Sequence, residues 1–297
     1  MLIFRTVAET KRALKGKHMA LQQGPELPAA ADLEHEEDIS LHPGPNADPS
    51  SDVDRYVSAE VRALYDVYSY RHAAAILANS FPDELKQIEQ ALLDFRITVR
   101  DIGIPGGNES DMPKKFSRTL RPAGWVETRI QGDLLVRMQE YSERATVDGK
   151  ANKIKLAESE PRTIKNFIDG HKIDYVKGRV AFDLEWNSKD QTFDRDLYAL
   201  RAFHECGLIS AGVLVTRSAS LNPVFEEVPQ LTKAGEPELH SKGPKSGQPK
   251  NVRAKYGAST TWMGKLLYRL NAGRHGGCPV LVFGITPKLI TDWNPPS

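Results

Sequence analysis

A chain of 297 residues, with 27% charged and 40% hydrophobic side chains, has the length of one large domain or two small ones and can bury a core without disulfides. Its formal net charge of +1 excludes a global basic field, and its two cysteines, Cys206 and Cys278, are too few and too distant in sequence for a zinc site of their own. No run approaches eighteen apolar residues, which excludes a membrane-spanning helix, and the N-terminus lacks the apolar stretch of a secretory signal. Both cysteines lie among apolar neighbours and read as core thiols in a reduced, cytoplasmic setting.

Residues 1–55 are expected to be a disordered or loosely attached extension. They are rich in Pro, Ala, Glu and Asp through Asp52, and Met19 offers an alternative start. One folded domain is expected over residues 56–297. From Tyr56 to Asn79 the apolar residues Val57, Val61, Leu64 and Tyr68 recur at helical spacing. Asp83 reads as the N-cap of a second helix that aligns Leu85, Ile88, Leu92 and Phe95. Pro105, Gly106, Gly107 and Asn108 mark a loop, and a short helix around Phe116 to Leu120 ends at Pro122. Residues 124–138 read as two strands of a hairpin split at Gln131-Gly132. Two basic clusters, one of Lys114, Lys115, Arg118 and Arg121, the other of Lys242, Lys245, Lys250, Arg253 and Lys255, are either solvated faces or phosphate-contacting patches.

Residues 172–176 form a short strand and Lys177-Gly178 a two-residue turn. Residues 179–186 alternate strictly: Val180, Phe182, Leu184 and Trp186 face one way, and Ala181, Asp183, Glu185 and Asn187 the other. A helix over 191–205 aligns Phe193, Leu197, Leu200 and Phe203, and Gly207 ends it. The apolar run 208–216 is a strand buried on both faces, so this strand–helix–strand unit predicts a parallel pair. Residues 217–258 read as a long polar loop, residues 259–271 as a helix with Trp262, Leu266, Leu267 and Leu270 inward, and residues 279–285 as a last buried strand. The pattern is α/β, with a central mixed sheet flanked by helices.

With Lys177-Gly178 as the turn, Asp174 pairs with Ala181, and Asp174, Asp183 and Glu185 share one face. Asp183 is then the diagonal neighbour of Asp174, about 7–8 Å away. Two carboxylates about 4 Å apart repel by roughly 4 kcal/mol at an effective dielectric of 20. Either water screens such a group on a solvated edge, or a hard divalent cation neutralises it, and magnesium prefers carboxylate oxygen. Asp190, Asp194 and Asp196 suit the first turns of the following helix, where the dipole favours acids.

Asp174, followed after eight residues by Asp183-Leu184-Glu185, resembles the PD-(D/E)XK nuclease pattern. The run from Ile173 to Leu197, with the strand Val213 to Arg217, resembles the BglII/BstYI type of type II restriction endonucleases. The resemblance implies a restriction-endonuclease-like sheet and a homodimer acting on double-stranded DNA at a palindrome, GATC-centred in relatives. It also implies magnesium (Mg2+) held by Asp174 and Asp183 with the Leu184 carbonyl. Glu185 would hold metal or orient and deprotonate the attacking water, leaving a 5′-phosphate and a 3′-hydroxyl. A cognate DNA methyltransferase is the implied functional partner. The wider superfamily carries Lys where this chain has Glu185, and Lys189 lies too far past the strand to replace it.

Arg217, Asn222, Lys250, Asn251 and Arg274 are available to read bases or bind phosphate. A repair-type metal-dependent nuclease, or a DNA-binding module that kept the fold and lost cutting, fits the same residues. Gly273, Gly276 and Gly277 form no phosphate-binding loop, and His204 reads as a packed or solvated side chain.

Overall fold

Helix begins earlier in the chain than the composition suggests. The computed structural model describes residues 44–104, 111–145, 151–169, 171–257 and 259–293. Helix α1 (Ser50–Tyr56) buries Val53, so this part of the expected extension packs on the core. Residues 1–43 and the loop expected at 105–108 lie outside the described residues.

The single helix expected over 56–79 is instead α2 (Ala59–Leu64), β1 (Tyr65–Tyr70) and α3 (Ala73–Ser80). Residues 65–70 interleave three tyrosines and a valine with polar residues, which suits a pleated strand. All six of them pair antiparallel with β10 (Val280–Ile285), and that ladder outweighs the local helical spacing. In α4 (Pro82–Asp94) Phe81 is the cap residue and Pro82 takes the first helical position, where its missing N–H costs nothing. Asp83 therefore lies in the first turn and is not the cap. Leu85, Ile88, Leu92 and Phe95 are buried as their spacing requires. Thr98 and Asp101 close a capping box on α5 (Val99–Gly103), and α6 (Asp111–Leu120) buries Met112, Phe116 and Leu120.

The hairpin expected over 124–138 does not form. Strand β2 (Val126–Arg129) joins the main sheet, and β3 (Gly132–Val136) pairs with β6 (Arg162–Ile168). Between them β4 (Gln139–Ala145) pairs with β5 (Ala151–Glu158). The four strands make a two-stranded ribbon whose side chains are mostly exposed.

The central sheet continues through β7 (Lys172–Lys177), β8 (Val180–Glu185) and β9 (Ala211–Arg217), with α7 (Thr192–Glu205) joining the last two. Its order is β1-β10-β9-β8-β7-β2. Strands β8, β9 and β10 are parallel, and β1, β7 and β2 run antiparallel to their neighbours. One face is covered by α1 to α6 and by α8 (Asn222–Glu227), and the other by α7 and α9 (Met263–Asn271). This is the central mixed sheet flanked by helices that the pattern implied. Gly212 on β9 lets α7 approach closely, because a Cβ there would lie 2.6 Å from Leu200. Residues 217–258 are not a structureless loop: Leu221, Val224, Phe225, Val228, Val252 and Tyr256 all enter the core. Cys278 is buried as expected, whereas Cys206 caps α7 and is exposed.

The β7–β8 turn consists of Gly178 and Arg179, with Gly178 at φ +53. A side chain there enters the left-handed region at a cost of about 1–2 kcal/mol. Gly178→Val is expected to lower the urea midpoint accordingly; an unchanged midpoint would show that this turn does not constrain the hairpin.

Candidate active site

The observed register is Lys177 to Val180, Val176 to Ala181 and Tyr175 to Phe182. It differs by two residues from the pairing of Val176 with Arg179. A two-residue shift preserves which residues share a face. Phe182 and Leu184 therefore enter the core on the α1–α6 side, while Ala181 packs with Phe193, Leu197 and Leu200 of α7. The ladder stops at Tyr175, and its continuation sets Asp174 across from Asp183. There β7 also bulges against β2: the register shifts between Val126–Val176 and Thr128–Ile173. Bulges re-aim side chains, and Asp174 sits within this one, half-buried.

The acids do not lie on a solvated edge. β8 is central and α7 covers the face they share, so Asp183 and Glu185 are each only 7% exposed. Asp183 is pushed well above the ordinary carboxylate range, first by burial, then by the charges of Asp196, Asp174 and Glu185. Its Oδ1 accepts from the Leu184 amide at 2.9 Å, which offsets part of that cost. Glu185 is raised as well, chiefly by burial and against the pull of Arg195.

The residue that pattern reading missed is Asp196. The dipole account suits Asp194, which pairs with Arg269 at 3.1 Å and with Arg274. Asp196, two residues further along α7, points into the sheet and is 3% exposed. Burial, followed by the Glu185 charge, pushes its carboxyl up to about 8. The signal was present in the sequence, because Asp196 falls between Phe193, Leu197 and Leu200 on the apolar stripe. Arg195 ties the pair together: Nη2 lies 3.1 Å from Asp196 Oδ1 and 3.7 Å from Glu185 Oε1. Glu185 Oε2 and Asp196 Oδ2 are buried with no hydrogen-bond partner.

Most of the other sequence candidates are used internally. Arg217 is buried, donating to the Trp186 and Thr261 carbonyls and lying over Phe225 and Tyr256. Lys250 pairs with Glu238, Asn251 holds the Glu226 carbonyl, and Arg274 pairs with Asp194; Asn222 is exposed. Lys115, Arg253 and Lys255 are bound by Asp101, Glu226 and the Ile102 carbonyl. Lys189 is exposed beyond the strand.

Among the described residues, no group of three or more His, Cys, Asp or Glu is drawn together tightly enough to hold a metal ion as it stands. The donor chemistry nevertheless fits magnesium. All the donors are hard oxygens, two buried oxygens lack partners, and magnesium takes one or two carboxylates with water and substrate phosphate without needing a closed protein cage.

A mixed sheet flanked by helices, with buried acids at the end of a central strand, defines the restriction-endonuclease class of fold. The family model described as restriction endonuclease BglII/BglIII matches residues 65–285, and the chain belongs to that family. Its members are nucleases that act on double-stranded DNA, often as dimers, and generally use a divalent metal. No curated protein matches the chain. Among the described residues, no helix is long and apolar enough to cross a membrane.

In metal-free protein the Asp196 carboxyl titrates near 8, against the ordinary 3.8. The folded state then holds a proton that the unfolded chain has released, so stability falls as pH rises through this window. The slope from one such proton is at most about 1.4 kcal/mol per pH unit. Urea midpoints of EDTA-treated protein should drop between pH 5.5 and 7.5, and less so in Asp196→Asn; equal slopes for both proteins would contradict the assignment.

Proposed function

We infer that this chain is a type II restriction endonuclease that cuts double-stranded DNA at a short palindrome with magnesium, through Asp174, Asp183 and Glu185. What supports this reading is the burial of Asp183 and Glu185 on one face of a central strand, with Asp174 on the neighbouring strand near enough for its charge to act on Asp183. Asp174 and Asp183 are suited to hold the ion. Glu185, with Oε2 unpartnered, is suited to hold it or to orient the attacking water and accept its proton. Bound there, magnesium would lower the pKa of that water and stabilise charge on the phosphate. In-line attack leaves a 5′-phosphate and a 3′-hydroxyl. The resemblance favours a GATC-centred site, a cytoplasmic setting and a cognate methyltransferase that protects the host site.

A homodimer matches a palindrome by symmetry. The ribbon supports it, exposing Leu135, Met138, Tyr141, Ile154, Leu156, Ile164 and Phe167. An isolated two-stranded ribbon is marginally stable alone. Its lysines and arginines alternate with Glu140, Glu143, Glu158 and Glu160, which suits a second copy of the chain better than a phosphate backbone. Replacing both Leu156 and Phe167 by Glu should convert a dimer to a monomer in light scattering; an unchanged mass would remove the ribbon from the interface.

Plasmid digestion with sequenced ends tests the activity. Discrete magnesium-dependent fragments are expected, abolished by Asp174→Asn, Asp183→Asn or Glu185→Gln while DNA binding survives. A smear would indicate a general nuclease, binding without cutting would indicate a DNA-binding module, and full activity in any variant would remove that residue from the site.

A further inference from the structure

In phosphoryl transfer, negative charge develops on the oxygens around phosphorus, and donors aimed at it accelerate the reaction. The candidate site is crowded with acids: after burial, the charges of Asp196, Asp174 and Glu185 raise Asp183, and the Glu185 charge raises Asp196. Among the described residues, the ion pairs reaching Glu185 and Asp196 come from one side chain, Arg195. Its Nε and Nη2 both donate to Asp196 Oδ1, at 3.2 and 3.1 Å. The anchor is 3% exposed, whereas the Arg195 side chain is 64% exposed. Asp196 Oδ1, itself buried, thus holds a largely exposed guanidinium at the solvent edge of the acid cluster.

Resting on the metal-nuclease reading, we propose that Arg195 is a catalytic residue that donates to a non-bridging oxygen of the scissile phosphate, and that Asp196 is the positioning residue that fixes its guanidinium there. Arg195 forms and breaks no covalent bond. It meets the charge that builds as the water oxygen bonds to phosphorus and the 3′ oxygen departs. The planar fork suits phosphate, and an arginine stays charged at any working pH.

The test compares Arg195→Gln, Arg195→Lys, Asp196→Asn and the double variant R195Q/D196N, with Asp183→Asn as the control. Arg195→Gln should lower kcat about a hundredfold, the scale of one lost transition-state donor. In EDTA, where no cutting occurs, its DNA affinity should depend less steeply on salt, the log–log slope falling by about one for one lost phosphate contact. Its manganese titration by calorimetry should match that of the wild type. Arg195→Lys should restore the salt slope and part of kcat. Asp196→Asn should lower kcat with the salt slope retained, and the double variant should be no slower than Arg195→Gln alone, a coupling that a merely structural aspartate would not show. Wild-type kcat in Arg195→Gln, beside an inactive Asp183→Asn, would overturn this proposal and leave the metal reading standing. An active Asp183→Asn would overturn both.

Discussion

Asp183 and Glu185 are held out of water on a central strand by the helix that follows them, and much of the molecule's arrangement answers to that constraint. Burying like charges is costly, because desolvation and mutual repulsion act in the same direction. β8 has neighbours on both sides and helices on both faces, so its acids cannot escape to solvent without disrupting the sheet. The protein offsets part of the cost locally, with the Leu184 amide on Asp183 and the Arg195 guanidinium near Glu185. The remainder is suited to a divalent cation, which the family generally uses.

The surroundings keep this arrangement rigid. The first turn of α7 is tied to the α9 side by Arg269, which reaches Asp190 and Asp194. On the other side, the Thr216 hydroxyl donates to the Glu185 carbonyl, fixing the end of β8 to β9. Arg217, the next residue along β9, carries the strand end into a buried network with Trp186 and the residue 260–261 turn. Arg217, which looked free to touch DNA, is therefore part of the scaffold at the end of β8. Arg195 differs in being anchored at one end and open at the other.

Legibility in the sequence followed the strength of the local pattern. The strict alternation over residues 179–186 put Asp183 and Glu185 on one face of β8, opposite the core face of Phe182 and Leu184, and a two-residue error in the hairpin register leaves that reading unchanged because only an odd slip exchanges faces. The same reasoning left open whether water screens the acids, since alternation cannot tell which elements will cover a face. Asp196 was hidden for a related reason: an acid near a helix start has a sufficient local explanation, and only the packing of α7 on β8 gives it another. The helix expected at 56–79 failed because partnership with β10, more than two hundred residues away, has no local signature. The core positions of 217–258 were obscured by the polar residues among which they are scattered.

The central claim is that the buried acids are stabilised by a hard divalent cation. Its most direct test is the melting temperature of EDTA-treated protein titrated with magnesium at constant ionic strength. A ligand at a hundred times its dissociation constant stabilises the folded state by about 2.7 kcal/mol. A saturable rise of several degrees is expected for the wild type and none for Asp183→Asn. No magnesium-specific rise, or an equal rise in both proteins, would contradict it.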